Sequence, residues 1–260
     1  MSTNDCTGPA DATAHMRYVL RIADGSLILG QRLGEWCGHG PVLEEDIALT
    51  NVALDLIGQA RLLLTHAGRL EDHGRDEDAL AFLREEHEFL NPTLCELPNG
   101  DFAQSVLRTW FYVTWQQVLW AALVESRDPD LAAIAAKSRK ETRYHVEHLG
   151  EWVLRLGDGT DESTARMQSA LNYLLPYVAE LFVADDIDRA AAGAGIGPTA
   201  DSLRPLWEAT VYPVLREATL DIPGTTPFQS SGRSGRHSEY MGFLLAEMQS
   251  LARAHPGATW

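Results

Sequence analysis

The sequence predicts an all-α protein with a four-helix bundle core and additional C-terminal helices. Over most of the chain, apolar residues recur at spacings of three and four, which is the periodicity of amphipathic helices. Four of the predicted helices are long, and long helices joined in antiparallel order form a bundle. No segment alternates between apolar and polar residues as a half-buried strand would, and no internal repeat of fixed period is present.

The first two long helices are predicted at residues 14–35 and 42–72. The second follows Pro41, and its first turn is acidic, which suits the positive end of a helix dipole. This helix is apolar around most of its circumference, which indicates a central position in the bundle. A shorter helix is predicted within residues 76–89, before a segment broken by Pro and Gly.

Polar residues interrupt the apolar faces of these two long helices. Asn51, Asp55 and Gln59 form an i, i+4, i+8 stripe on the second helix, and Asp24 lies between apolar patches of the first. Such a stripe can face water. On so apolar a helix, however, we expect it to face the bundle interior, where polar groups need partners, and the same expectation applies to Asp24.

The third long helix is predicted to begin near Asp101, a suitable N-cap residue. Its apolar stripe consists of Phe102, Val106, Trp110, Val113, Trp120 and Val124, with Gln117 set among them. The fourth long helix is predicted at residues 130–156, after the tight turn "SRDPDL", with Gly157 as its C-cap.

Beyond the four long helices, the chain is predicted to form shorter helices at residues 161–190, 200–219 and 237–254. Pro176 is expected to kink the first of these. Residues 221–236 are rich in Gly, Ser and Pro and are predicted to form a long loop, a kind of segment that often carries a function. The tail helices are expected to pack around one side of the bundle.

Length and composition limit the class of protein. The 260 residues fit one domain, residues 1–260, of which residues 1–13 are expected to be disordered. Lys and Arg number 21 against 37 Asp and Glu, a net charge of -16, so the basic surface of a nucleic-acid-binding protein is excluded. We expect no secretory signal, no membrane span and no disulfide framework, and therefore a cytoplasmic protein.

The segment "KETRYHVEH", residues 140–148, has the composition of a metal site. Glu141, His145 and His148 share one face of the fourth helix, and Asp55 is the matching inward carboxylate of the second. Carboxylates and imidazoles that point inward between long helices are the ligands of ferritin-like di-iron centres. A solvated surface of weakly paired charges is the alternative interpretation.

The ligand spacing argues against a working di-iron centre. Such a centre needs a Glu from each of two helices and Glu-x-x-His from each of the other two, yet no Asp or Glu here is followed by His at the third position. Gln104 and Gln117, the inward polar residues expected on the third helix, are poor iron ligands. We therefore interpret the four residues above as the remains of a site, with no metal and no catalytic residue in this chain. Asp55, Glu141 and His145 are expected to form a hydrogen-bonded cluster near the bundle axis, since unpaired buried charges are costly.

A second candidate site is the glycine-rich basic stretch "SSGRSGRHSE". Its backbone amides, with Arg233, Arg236 and His237, are suited to contact a phosphate or a partner. A solvated loop explains the same composition equally well.

Long segments of the chain resemble a known family, the C subunits of bacterial phenylacetyl-CoA epoxidase complexes. The resemblance covers the chain from about residue 16 to its end. The segments are "LGQRLGEWCGHGPVLEEDIALTNVALDLIGQAR", "ELPNGDFA", "ESRDPDLAAIAAKSRKETRYHVEHLGEWVLRLGDGT", "GRHSEYMGFLLAEMQ" and "HPGATW".

The resemblance implies a ferritin-like fold and a non-catalytic, structural role. It implies a partner, the catalytic A subunit, which holds the di-iron centre, and a reductase that supplies electrons for forming the ring epoxide of phenylacetyl-CoA. No cofactor is expected in this chain itself. Four tryptophans of the long helices and their ends are expected mostly in the core, with one or two of them at the subunit interface. These four are Trp36, Trp110, Trp115 and Trp120.

Two other functions remain open at this point. One is a di-iron oxygenase or iron-binding ferritin-like protein in its own right, which needs two metal-binding helices where the sequence offers one. The other is a module that binds CoA esters through residues 232–237, in which case replacing Arg233 and Arg236 by Ala would abolish CoA affinity.

Overall fold

The computed structural model describes residues 9–224 and 227–258, and this part of the chain is all-helical. The helices, in chain order, are α1 Pro9–Gly34, α2 Leu43–Glu71, α3 Glu77–Phe82, α4 Thr93–Glu96, α5 Phe102–Leu123, α6 Pro129–Gly157, α7 Asp161–Val178, α8 Asp186–Gly193, α9 Arg204–Glu217 and α10 Glu239–Ala254. Short 3₁₀ turns lie at Glu86–Glu88, Ala179–Phe182, Ala200–Leu203 and Gly232–Ser234. The four long helices expected from the sequence are therefore α1, α2, α5 and α6.

Helices α1 and α2 pack against each other in antiparallel order. The rings of His15 and His66 meet edge to face at one end of the pair, with centroids 6.0 Å apart. Towards the other end, a Cβ on Gly30 would lie only 2.9 Å from Ile57. The glycine therefore allows the two backbones to approach closely.

Helices α5 and α6 form a second antiparallel pair. Phe102, at the start of α5, packs edge to face on Trp152 near the end of α6, with ring centroids 5.2 Å apart. Asp101 caps α5 as predicted, since its carboxylate accepts a 2.9 Å bond from the backbone N–H of Gln104. Gly157 differs from its prediction: it lies within the last turn of α6, where a Cβ would come 2.4 Å from the Ala218 carbonyl oxygen.

Contacts between the two pairs complete a ring of four antiparallel neighbours. Helix α5 meets α1 through the Gln116 amide, which donates to Ser26 Oγ at 2.9 Å. Helix α6 meets α2 through His145 and Asp55, whose Nε2 and Oδ2 atoms are 2.9 Å apart. Because each helix touches the next, every one of the four has both an inward and an outward face.

Aromatic side chains fill the space between α5 and the C-terminal helices. Trp110, Trp115 and Trp120 are buried, as predicted for core residues. Trp207 of α9 is also buried, and its indole N–H donates to the Phe111 carbonyl oxygen at 3.0 Å. This contact fixes the tail helices against one side of the long helices.

The region predicted as one kinked helix at residues 161–190 is divided. Helix α7 ends at Val178, shortly after Pro176, and α8 starts anew after Asp185. The Asp185 carboxylate accepts bonds from two backbone amides of α8 and acts as its N-cap. The 3₁₀ turn Ala179–Phe182 follows α7 directly, and the non-helical break lies between Phe182 and Asp186.

The N-terminal segment and the long loop are described in part. Of residues 1–13, the first eight lie outside the described residues, and Pro9 to Thr13 belong to α1. Within 221–236, positions 225 and 226 lie outside the described residues; the others are non-helical apart from the turn Gly232–Ser234.

One described helix, α2, is long and apolar enough by length and composition to cross a membrane. A core helix of a soluble protein passes the same test. In its most apolar window 44% is buried within the chain. The exposed apolar residues of this helix are Leu43, Ile47 and Leu54.

Candidate functional site

The structure places the predicted site residues along the contact between α2 and α6. His145 Nε2 lies 2.9 Å from Asp55 Oδ2, and His148 Nε2 lies 3.0 Å from Glu45 Oε2. In each pair an imidazole N–H from α6 donates to a carboxylate of α2. The two pairs therefore join the same two helices, roughly one turn apart on α6.

This cluster lies at the edge of the helix pair and not at the bundle axis, which corrects the expected position. The His145 side chain is almost fully buried, but that of Asp55 is 40% exposed. Glu141 is 26% exposed and lies 3.7 Å from Lys137 Nζ, outside the hydrogen-bonded pairs. Only two of the three residues expected in one cluster are hydrogen-bonded to each other.

Neutral amides and hydroxyls occupy the interior between the long helices. Gln116 of α5 donates to Ser26 Oγ of α1 and lies 3.1 Å from Gln59 Oε1 of α2. Gln59 is inward as predicted, whereas Asn51 of the same stripe is exposed. On α5 the residue that contacts α1 and α2 is Gln116 and not Gln117. Helix α5 is buried on nearly every side, so the predicted apolar stripe could not identify the face that meets α1 and α2.

This donor set does not fit a di-iron centre. Helix α5 contains no Asp, Glu or His at any position from Phe102 to Leu123, so one of the four helices offers no iron ligand at all. The inward carboxylate of α1, Asp24, is fully buried and is bound by the guanidinium of Arg84. It also accepts a 2.8 Å bond from the backbone N–H of Leu90. Its acceptor capacity is thus already used within the fold.

The glycine-rich loop is pinned to the body of the protein by buried charges. The backbone N–H of Arg233 donates to Glu180 at 2.7 Å, and its guanidinium donates to Asp188 at 2.9 Å. Arg233 is buried, and it shares the Asp188 carboxylate with Arg21, whose Nη1 lies 3.3 Å from Asp188 Oδ2. A Cβ on Gly232 would lie 2.4 Å from the Asn91 carbonyl oxygen, so the loop lies directly on neighbouring backbone.

The imidazole of His237, at the end of this loop, is likewise hydrogen-bonded to groups inside the protein. Its Nδ1 lies 2.8 Å from Glu96 Oε2 and its Nε2 lies 3.0 Å from the Phe89 carbonyl oxygen. Neither Arg233 nor His237 is free for a phosphate, which corrects the prediction for these two residues. Arg236 is exposed, so a contact there stays a prediction.

The surroundings of the two buried imidazoles, His145 and His237, shift their pKa values in opposite directions. Burial lowers the pKa of His145 below its usual range, and the attraction of Asp55 offsets this only in part. Burial also opposes the charged form of His237, but its hydrogen bond to Glu96 and the attraction of that carboxylate outweigh burial and raise the pKa of His237.

These shifts predict opposite pH dependences of stability for two histidine variants. His145 is harder to protonate in the folded state, so its contribution to the free energy of unfolding falls as pH drops below about 6.5. His237 is easier to protonate when folded, so its contribution is complete at low pH and is lost as pH rises through its raised pKa. Urea unfolding from about pH 5 to 8.5 is the measurement. The wild-type advantage over His145→Gln should grow with pH, and that over His237→Gln should shrink. Slopes of the same sign would contradict both assignments.

A stripe of exposed apolar side chains runs along the outer face of α2. Leu43, Ile47 and Leu54 are 70%, 51% and 61% exposed, and their i, i+4, i+11 spacing puts them on one face. Tyr144 of α6, 61% exposed, stacks on the His148 ring with centroids 5.9 Å apart. We call these four residues the α2 stripe. Exposed Asn51 lies between Ile47 and Leu54 on the same face. Large exposed apolar side chains grouped in this way are a candidate protein interaction site.

The sequence did not reveal this stripe, although one signal was present. An apolar helix without a clean polar face must bury both sides, and here the second side finds no cover within the described chain. The pairs Asp55–His145 and Glu45–His148 lie beside the stripe and hold α6 against α2. The residues predicted as a former metal site thus lie at the contact between α2 and α6, beside the α2 stripe.

Two comparisons with known proteins identify the family of the chain. A family model described as "Phenylacetic acid catabolic protein" matches residues 1–260. The chain is 50% identical over 243 residues to the C subunit of the 1,2-phenylacetyl-CoA epoxidase of Escherichia coli (strain K12). That match covers 94% of this chain and 98% of the relative.

Proposed function

This chain belongs to the phenylacetic acid catabolic protein family, and from that premise we propose that it is the structural C subunit of a 1,2-phenylacetyl-CoA epoxidase. In this role it carries out no chemistry. It pairs with the di-iron catalytic A subunit and stabilises it during aerobic phenylacetate breakdown. The complex is cytoplasmic, and its reductase delivers electrons to the A subunit.

The proposal includes a ferritin-like four-helix bundle as the core of the fold. Helices α1, α2, α6 and α5 contact one another in a closed antiparallel ring, as such a bundle requires. Contacts from Ser26, Gln59 and Gln116 cross its interior. Such a bundle keeps the shape needed to pair with the catalytic A subunit. Its interior is neutral and lacks the ligands for iron.

The observation that carries the proposal is the combination of a ligand-free α5 with the exposed α2 stripe. A subunit with its own di-iron chemistry needs carboxylates on all four helices, whereas a structural subunit needs a surface for its partner. The stripe is apolar, and the neighbouring first turn of α2 is acidic through Glu44, Glu45 and Asp46. An apolar centre with a charged rim is the usual anatomy of a stable protein interface.

Within the complex, the α2–α6 contact gives this surface its rigidity. His145 Nε2 is anchored on Asp55 while its ring is buried, so α6 cannot slide along α2 without breaking that bond. A rigid surface loses little entropy when its partner binds. When the partner binds this rigid surface of α2 and α6, its own helices are held in one arrangement.

Iron content and reconstitution test the proposal together. The chain is expressed alone in iron-rich medium, purified, and assayed for iron by mass spectrometry. It is then mixed with the catalytic subunit and reductase, and formation of the phenylacetyl-CoA epoxide is measured with and without it. We expect no di-iron load in this chain, a stable pair with the A subunit, and activity that depends on the pair.

Two results would overturn the proposal. About two irons per chain, the load of a complete di-iron centre, would make this chain an oxygenase or iron-binding protein in its own right. Full activity and stability of the A subunit without this chain would remove the structural role.

A further inference from the structure

A second group of potential metal ligands lies where the start of α1, the end of α2 and the start of α6 meet. Asp128 Oδ2 lies 2.8 Å from His15 Nε2 and 2.5 Å from His66 Nε2. One ligand atom from each of these three residues lies within 4.8 Å of the others. Two imidazole nitrogens thus converge on a single carboxylate oxygen.

The carboxylate is held in this orientation by the helix that it caps. Asp128 Oδ1 accepts the backbone N–H groups of Asp130 and Leu131 at 3.0 and 3.1 Å, with Pro129 at the first position of α6. Oδ2 is therefore left to face the imidazoles. A ligand fixed through its second oxygen is typical of built metal sites.

Two buried nitrogens in this group have no hydrogen-bond partner, His15 Nε2 and His66 Nδ1. His66 is 5% exposed, and its Nδ1 is without a partner while its Nε2 faces Asp128. Asp130 Oδ2 lies 3.7 Å from that Nδ1. If a metal takes the Nε2 lone pair, the proton moves to Nδ1, which then donates to Asp130. This is the usual carboxylate–histidine–metal arrangement, and it supplies the missing partner.

We propose that His15, His66 and Asp128 bind one divalent first-row transition-metal ion of the Zn²⁺ class. Two imidazoles and one carboxylate are ligands for such ions and not for Mg²⁺. A tetrahedral ion holds its ligand atoms roughly 3.3 Å apart, so each imidazole moves outward by about half an ångström or more when the ion enters.

The site is nearest to solvent at His15, whose Nε2 is itself buried. The His15 side chain is 19% exposed, whereas those of His66 and Asp128 are each 6% exposed. The ion can therefore enter past His15 and keep a water as its fourth ligand. Its role is to tie together the ends of three helices that are far apart in sequence.

This site is separate from the interior layer where a ferritin-like di-iron centre would lie. His66 follows Gln59, the α2 residue of that interior layer, by seven residues, a distance of about 10 Å along the helix axis. The proposed metal site holds one ion through three residues. It goes beyond the proposed structural role and does not depend on that role.

Competition titration with Zn²⁺ tests the proposal. Full-length protein is stripped of metal with a chelator and titrated with Zn²⁺ in the presence of a chromophoric chelator. Co²⁺ absorption then reports the coordination number. His15→Ala removes the most exposed ligand, and Asp128→Asn keeps an N-capping oxygen while removing the charge. The matched control is His148→Ala, since His148 faces the single carboxylate of Glu45.

We expect one Zn²⁺ per chain, a four-coordinate Co²⁺ spectrum and unchanged affinity in the presence of excess Mg²⁺. Each ligand variant should bind Zn²⁺ at least about 100-fold more weakly, since loss of an outer partner alone costs roughly 10- to 100-fold. His148→Ala should bind like the wild type. Absence of stoichiometric binding, or equal affinity in His15→Ala, would show that the three residues only hydrogen-bond to close the helix ends.

Discussion

Replacing Ile47 and Leu54 together by Glu is expected to abolish co-purification of this chain with the catalytic subunit. Both side chains are more than half exposed in the isolated chain, so the fold should tolerate the change. In the proposed complex the α2 stripe meets the partner, so two desolvated carboxylates would face apolar partner atoms. A loss of about 4 kcal/mol, roughly a thousandfold in affinity, is expected.

The measurement is the dissociation constant for the A subunit, with epoxide formation as a second readout. The matched control is Leu206→Glu with Phe243→Glu, which adds the same charge at two exposed apolar positions on α9 and α10. The control pair should associate normally, and both double variants should melt like the wild type. If the α2 variant still forms the complex while the control does not, the interface lies on the C-terminal helices.

Asp24→Ala is expected to lower the free energy of unfolding by about 3–5 kcal/mol, because it leaves the Arg84 cation buried without its partner. Both side chains are essentially inaccessible to water. Arg84 Nη1 donates to Asp24 Oδ2 at 3.0 Å, and Leu90 loses its backbone acceptor as well. The change therefore strands one charge and one amide in the interior.

Urea unfolding followed by circular dichroism measures this effect. Glu151→Ala is the control, since its partner Arg155 lies on the surface and both side chains are more than 60% exposed; no measurable change is expected there. In the double variant Asp24→Leu with Arg84→Met, most of the stability should return because both charges are gone. A loss below about 1 kcal/mol in Asp24→Ala would mean that Arg84 finds solvent or another acceptor.

The positions of the long helices were predictable because their signals are local. Apolar spacing, the Asp101 cap and the acidic start of α2 each act within one or two turns, and the structure has α2, α5 and α6 within one or two residues of the predicted limits. The failure of the Glu-x-x-His spacing is also a local property. It could be recognised before any contact was known.

The side chains that meet across helices were less predictable, because their identity depends on how each helix is rotated about its own axis. A helix turned by one residue, about 100°, exchanges Gln117 for Gln116 in the interior, and a broad apolar stripe does not fix that phase. The same uncertainty put Asn51 inside, although it faces outward. For Asp55, Glu141 and His145, sequence identified the helices that meet but placed the cluster at the axis instead of the edge.

The sequence by itself determined the helical class, the limits of the long helices and the failure of the Glu-x-x-His spacing, since these follow from neighbours along the chain. The tertiary structure alone decided which charges are internal. Arg233 and His237 look like a solvated basic loop in sequence, but residues 45 and 141 positions away bring buried carboxylates to them. It also decided that one face of α2 stays uncovered and that His15, His66 and Asp128 converge. Both the uncovered face of α2 and the convergence of these three side chains result from packing between segments that are distant in sequence. Only the folded chain specifies which side chains such packing brings together and which it leaves exposed.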